Sequence, residues 1–143
     1  TGELLHQGER VALVGYGTGV QKAIEAAALL AADGIDATIA DARFVKPLDG
    51  ELLRTLASAH ELLVTIEEGC LAGGFGSAVL EELATAPHRT LLRVGVPDRY
   101  ITHGAPALLH AEIGYTGSDI ARRVRLALGQ ASPSPSAQAI ASS

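Results

Sequence analysis

Short apolar runs alternate four times with stretches of helical spacing, and this alternation restricts a chain of 143 residues more than any single motif does. Residues 11–14 (Val-Ala-Leu-Val) read as a buried strand ended by Gly15-Tyr16-Gly17-Thr18-Gly19, and 37–42, 61–66 and 91–96 repeat the pattern. Between the first two strands, the alanine-rich segment 21–33 places Val20, Ala23, Ala27 and Leu30 on one stripe, and Gly34 stops it. Asp49 is placed to cap a second helix running to about Ser58. A glycine-rich run, 69–76, precedes a third helical pattern over 77–84, which Pro87 and His88 break. Pro106 can open a short helix through Ala111, and a last helix over 120–128 has Ser118 as its expected cap and Gly129 as its stop. Strands and helices in this order predict an α/β fold, a three-layer sandwich around a mostly parallel sheet.

Residues 1–9 read as a linker from an upstream domain missing from this sequence, because the chain opens on Thr1 and contains no methionine. Their lack of a basic start and apolar core is unlike a signal peptide. The domain proper is expected over 10–129. Residues 130–143, mainly Ser, Ala and Pro with no charged side chain, read as a disordered tail.

Composition excludes several functions. A net charge of -5 with 3% aromatic residues, and no Lys/Arg cluster, argues against a nucleic-acid surface. No apolar run approaches the roughly 18 residues a membrane span needs. The lone Cys70 forms no internal disulfide, and no Cys/His spacing resembles a zinc site. A soluble cytoplasmic domain is the expectation.

In parallel sheets ligands gather at the carboxyl ends of strands, so the residues after each run carry the candidates. The first turn fails the G-x-G-x-x-G pattern at Val20 and reads more simply as a tight strand-to-helix connection. After the second strand, Arg43 offers a planar fork for a phosphate or carboxylate, with Lys46 adding charge. The alternative is a structural ion pair of Arg43 with Asp41 or Asp49, and the residues alone leave both open. Glu67 and Glu68 follow the third strand as acid/base or metal candidates, but with no companion cluster they read as solvated or hydrogen-bonded structural carboxylates. Gly73, Gly74 and Gly76 permit close approach of a ligand phosphate, a neighbouring domain or a second subunit. Beyond the fourth strand, Asp98, Arg99 and His103 are chemically able, and a loop histidine is more often a hydrogen-bonding surface residue than a base.

Four blocks carry a family resemblance: Asp41-Ala42-Arg43-Phe44-Val45-Lys46-Pro47-Leu48-Asp49, the run from His60 to Glu68, Gly73-Gly74-Phe75-Gly76-Ser77, and Gly95-Val96-Pro97-Asp98-Arg99-Tyr100. In order and spacing, over residues 8–128, they resemble the C-terminal domain of the transketolase family of thiamine diphosphate enzymes, within it the 1-deoxy-D-xylulose-5-phosphate synthases. The resemblance implies an enzyme that decarboxylates pyruvate and joins the two-carbon unit to D-glyceraldehyde 3-phosphate. The products would be 1-deoxy-D-xylulose 5-phosphate and CO2, feeding isoprenoid, thiamine and pyridoxal synthesis in a bacterial cytoplasm. It also implies that thiamine diphosphate and Mg2+ are bound by domains absent from this chain, so no catalytic, cofactor-binding or metal-binding residue is placed here. Arg43 corresponds to the residue that binds the substrate phosphate, and Gly73, Gly74, Gly76 and Ser77 to interdomain and homodimer contacts. The sequence departs from many relatives at Gly69, where Asn is common, and at Val96, where Leu is common. By itself this domain is expected to be inactive. The competing readings are another thiamine enzyme, a transketolase or a 2-oxo acid dehydrogenase β subunit, and a non-catalytic dimerisation module.

Overall fold

The computed structural model describes residues 1–43, 48–67, 74–84, 90–95 and 116–129. Among them are strands β1 (Glu3–His6), β2 (Val11–Tyr16), β3 (Thr38–Asp41), β4 (Leu62–Glu67) and β5 (Leu91–Val94), and helices α1 (Gly19–Ala32), α2 (Gly50–Ala59), α3 (Phe75–Glu82) and α4 (Gly117–Ala127). The sheet order is β1-β3-β2-β4-β5. Strands β2 to β5 run parallel, and β1 joins the edge antiparallel to β3.

The expected three layers are present. Every residue of β4 is buried, which is why it reads as a continuous apolar run rather than an alternating one. Val11, Leu13, Val64 and Ile66 face Ala23, Ala26 and Leu30 of α1 and Ile120 and Val124 of α4. Ala12, Val14 and Leu63 face the other way, onto Leu53 and Leu56 of α2 and Phe75 and Val79 of α3. Each fully buried Leu, Ile, Val or Phe contributes about 1.5–3 kcal/mol relative to exposure.

The segment read as a linker departs from expectation, because Glu3 to His6 form an edge strand and the sheet begins before residue 10. All four residues of β1 are exposed, so Glu-Leu-Leu-His shows no alternation to reveal it. Its position comes from partners far along the chain. Gly2 N–H donates to Asp49 Oδ2 at 3.0 Å, and Gly8 N–H donates to Thr38 Oγ1 at 2.8 Å. Thr38 in turn lies 2.7 Å from Nε2 of the buried His60, whose Nδ1 is 2.8 Å from Leu56 O. A carbonyl only accepts, so Nδ1 carries the proton and Nε2 accepts from the Thr38 hydroxyl. The chain of bonds ties the β1–β2 connection to β3 and to the end of α2.

Helix boundaries shift by a turn or less. Helix α1 starts at Gly19 and α3 at Phe75, each two residues ahead of the expected start. The cap of α4 is Thr116, not Ser118. Thr116 Oγ1 accepts from Asp119 N–H at 3.1 Å and donates to Asp119 Oδ2 at 2.8 Å, the three-residue reach that capping requires. That hydroxyl also holds the Asp119 carboxyl below the usual carboxylate range. The short helix expected at 106–111 and the tail at 130–143 lie outside the described residues.

Asp49 caps α2 as expected, accepting from Leu52 N–H at 3.1 Å. The backbone bonds from Leu52 and then Gly2 favour its charged form and lower its pKa from 3.8. A depressed folded-state pKa contributes stability that is fully present above the unfolded value and lost as pH falls through the folded one. Asp49→Ala is therefore expected to cost about 1 kcal/mol at neutral pH. Thermal melts at about pH 7 and in acid check this, and the gap between wild type and variant is expected to close below roughly pH 4.

Candidate functional site

The parallel strands deliver Tyr16, Asp41 and Glu67 to the carboxyl end of the sheet. At the end of β3 the chain turns sharply. Asp41 Oδ1 accepts the N–H of Arg43 at 2.9 Å, and Ala42 N–H donates to Gly15 O at 2.9 Å. The first bond is an Asx turn, the local device by which Asp stabilises unusual backbone. It holds Arg43 at φ +68°, a left-handed conformation that a long side chain rarely adopts. Ala42 is buried against the sheet, and Arg43, the next residue, is exposed.

Neither partner expected of Arg43 takes its guanidinium. Asp41 holds the backbone N–H, and Asp49 caps α2. The guanidinium faces Glu3 instead, with Nη2 3.4 Å from Oε1 and the two side chains 51% and 53% exposed. Glu3 is directly opposite Asp41 in the β1–β3 register. Reading 1–9 as a linker concealed this neighbour. The continuation of the motif, 44–47, lies outside the described residues.

At the end of β4, Glu67 is buried and bidentate. Its Oε2 accepts from Phe75 N–H at 2.7 Å and its Oε1 from Gly76 N–H at 2.9 Å. A helix start offers free amides and a positive dipole end, and here the anion that uses them belongs to the chain itself. The reading of Glu67 as a hydrogen-bonded structural carboxylate agrees with this geometry. The signal in the sequence is a carboxylate placed eight residues before a glycine-led helix.

The proposed contact residues surround that anchor. Gly74 precedes α3 in an extended conformation. Gly76 is buried so tightly that a Cβ there would sit 2.7 Å from Arg93 Nε. Ser77 Oγ accepts from Arg93 Nη2 at 2.9 Å. The rings of Tyr16 and Phe75 stack with centroids 5.5 Å apart, joining the end of β2 to the start of α3. Gly73, Glu68, Cys70, Asp98, Arg99 and His103 lie outside the described residues. Asp41 and Glu67 end the strands on either side of β2, so these strand ends are roughly 10 Å apart across the sheet.

The glycine turn after β2 is a packing device. A Cβ on Gly19 would meet Ile66 O at 2.0 Å, so only glycine lets α1 begin against β4. Gly17, at φ +64°, makes the turn itself. The crevice between β2 and β4, where the strand order reverses, is thus filled by the start of α1. Among the described residues no group of three or more His, Cys, Asp or Glu side chains converges to hold a metal ion. No helix among them is long and apolar enough to cross a membrane.

A mostly parallel sheet covered by helices on both faces, with one antiparallel strand at its edge, defines a three-layer α/β domain. Residues 1–120 match the family described as transketolase, C-terminal domain, and the chain belongs to that family. It is 50% identical over 137 residues to 1-deoxy-D-xylulose-5-phosphate synthase 1, chloroplastic, of Oryza sativa subsp. japonica, covering 91% of this chain. It is 49% identical over 119 residues to the 1-deoxy-D-xylulose-5-phosphate synthase of Burkholderia thailandensis, covering 82% of this chain. The chain spans 18% of the length of either relative. Among solved structures, a split-gene transketolase described as an inactive beta4 tetramer superposes with a TM-score of 0.82 at 37% identity, over 91% of this chain and 43% of that one. A transketolase mutant from Pichia stipitis shares the fold at a TM-score of 0.58 and 15% identity, over 85% of this chain and 17% of that one.

Proposed function

We propose that this chain is the C-terminal domain of a 1-deoxy-D-xylulose-5-phosphate synthase and that Arg43 binds the phosphate of D-glyceraldehyde 3-phosphate. The observation that carries the reading is the presentation of Arg43: an exposed guanidinium on a backbone locked by Asp41, at the carboxyl end of β3. Relatives near 50% identity that carry the synthase name support it. In the whole enzyme, thiamine diphosphate with Mg2+ would supply the electron sink for decarboxylation of pyruvate. In this reading both are held by domains outside this chain, which spans 18% of the length of its curated relatives. The role of this domain is to bind the phosphate end of the acceptor, so that the aldehyde is held at a fixed distance from the reacting centre. The surface around Gly73, Gly74, Gly76 and Ser77 meets the upstream domains or the second subunit of a homodimer.

The split-gene neighbour favours a second reading, a transketolase that moves two-carbon units between sugar phosphates. Its description as inactive agrees with a domain that needs another polypeptide for catalysis. Turnover assays separate the readings. The full-length enzyme with thiamine diphosphate and Mg2+ is expected to release CO2 from pyruvate only when D-glyceraldehyde 3-phosphate is converted to 1-deoxy-D-xylulose 5-phosphate. The isolated 143 residues are expected to form no product. Two-carbon transfer from a ketose phosphate, with no CO2 from pyruvate, would replace the synthase with the transketolase.

A further inference from the structure

We propose that Asp41 is the positioning residue of the phosphate site, acting through its bond to the backbone of Arg43 and not through its charge; this rests on reading Arg43 as the phosphate-binding group. The bond starts from a rigid base. Strand β3 holds Asp41 between Glu3 of β1 and Gly15 of β2, and Ala42 N–H donates to Gly15 O at 2.9 Å. The next backbone donor is the N–H of Arg43, and Asp41 Oδ1 accepts it at 2.9 Å. That bond fixes the plane of the Ala42–Arg43 peptide, the frame from which the arginine side chain leaves.

Arginine does not favour this frame unaided. At φ +68° Arg43 is left-handed, a conformation in which Cβ crowds a neighbouring carbonyl. The far end of the side chain offers little compensation. The guanidinium meets Glu3 at 3.4 Å with both groups about half exposed, and such pairs hold a side chain weakly. Without the Asp41 bond the peptide plane is free to turn, and Arg43 returns toward negative φ. The geometry that presents the fork is then one of several, and affinity falls in proportion to its population. By charge alone, an acidic residue two positions before a phosphate-binding arginine is adverse, because it repels the dianion. Its bond to the backbone N–H accounts for an oxygen at that position, and asparagine supplies the same oxygen without the charge.

The test uses the full-length enzyme, with each substrate varied in turn. Asp41→Ala is expected to raise KM for D-glyceraldehyde 3-phosphate roughly 3- to 10-fold, the worth of one hydrogen bond, with kcat and KM for pyruvate little changed. Asp41→Asn is expected to keep KM for the phosphorylated aldehyde at or below the wild-type value. An asparagine variant nearer to alanine than to wild type would show that charge is what matters, and would overturn the proposal. An unchanged KM in Asp41→Ala, or equal rises for both substrates, would overturn it as well. A third variant combines Asp41→Ala with Arg43→Ala. A residue that acts through Arg43 has nothing left to act on there, so KM is expected to equal that of Arg43→Ala alone. A further rise would give Asp41 a separate role and remove the positioning one. If Arg43→Ala by itself leaves KM for the phosphorylated aldehyde unchanged, the reading of Arg43 falls, and the role of Asp41 falls with it.

Discussion

Arg43→Ala in the full-length enzyme is expected to raise KM for D-glyceraldehyde 3-phosphate by roughly 10- to 100-fold while leaving KM for pyruvate nearly unchanged. The magnitude follows from losing a forked, charge-assisted contact to a dianion, about 1.5–3 kcal/mol. The asymmetry follows from position. Arg43 lies just past the carboxyl end of β3 with its backbone held by Asp41 and its side chain exposed, so its removal leaves no cavity in either core layer. Arg43→Lys keeps the charge and is expected to recover only part of the loss, because an ammonium presents a point charge without the fork. Both variants face the same left-handed backbone as the arginine, so strain does not separate them. Steady-state kinetics with each substrate varied in turn checks the result. Equal changes in both KM values would assign Arg43 a structural role.

Glu67→Ala is expected to cost about 3 kcal/mol of stability, the largest single loss among the exchanges considered. The side chain is 8% exposed and accepts two backbone N–H groups, from Phe75 and Gly76. Removing it leaves both donors buried and unpaired at the start of α3. Glu67→Gln is expected to lose less, since its amide oxygen still accepts one N–H while its NH2 group confronts the other. Denaturant titration of the two variants measures the difference. A loss below about 1 kcal/mol for Glu67→Ala would mean that other bonds hold the start of α3. The same experiment bears on the proposed contact surface, because Gly74, Gly76 and Ser77 are positioned by this anchor.

The layers were legible in the sequence because the central strands are covered on both sides. The apolar runs at 11–14 and 61–66 admit little else, and Asp49 before a helical pattern marks α2 correctly. What escaped was decided by contacts between distant residues. Strand β1 has no buried face, and it exists through Asp49, Thr38 and the β3 edge, between 30 and 47 residues away in the chain. With β1 unseen, Glu3 could not be named as the partner of Arg43, and Asp41 and Asp49 stood in its place. Spacing points to Ser118 as the cap of α4, but it does not reveal which hydroxyl reaches an amide three residues on, and that one is Thr116. The chemical type at Arg43 was readable from the residue and its place after a strand. Its neighbours were not, because Glu3 reaches it only through the β1–β3 pairing.

The most direct test of the phosphate reading compares D-glyceraldehyde 3-phosphate with unphosphorylated D-glyceraldehyde as acceptor, in wild type and Arg43→Ala. Wild type is expected to prefer the phosphorylated aldehyde strongly in kcat/KM. Arg43→Ala is expected to lose roughly 10- to 100-fold of that preference, with kcat/KM for the unphosphorylated aldehyde little altered. A preference that survives the substitution intact would contradict the assignment of Arg43 to the substrate phosphate.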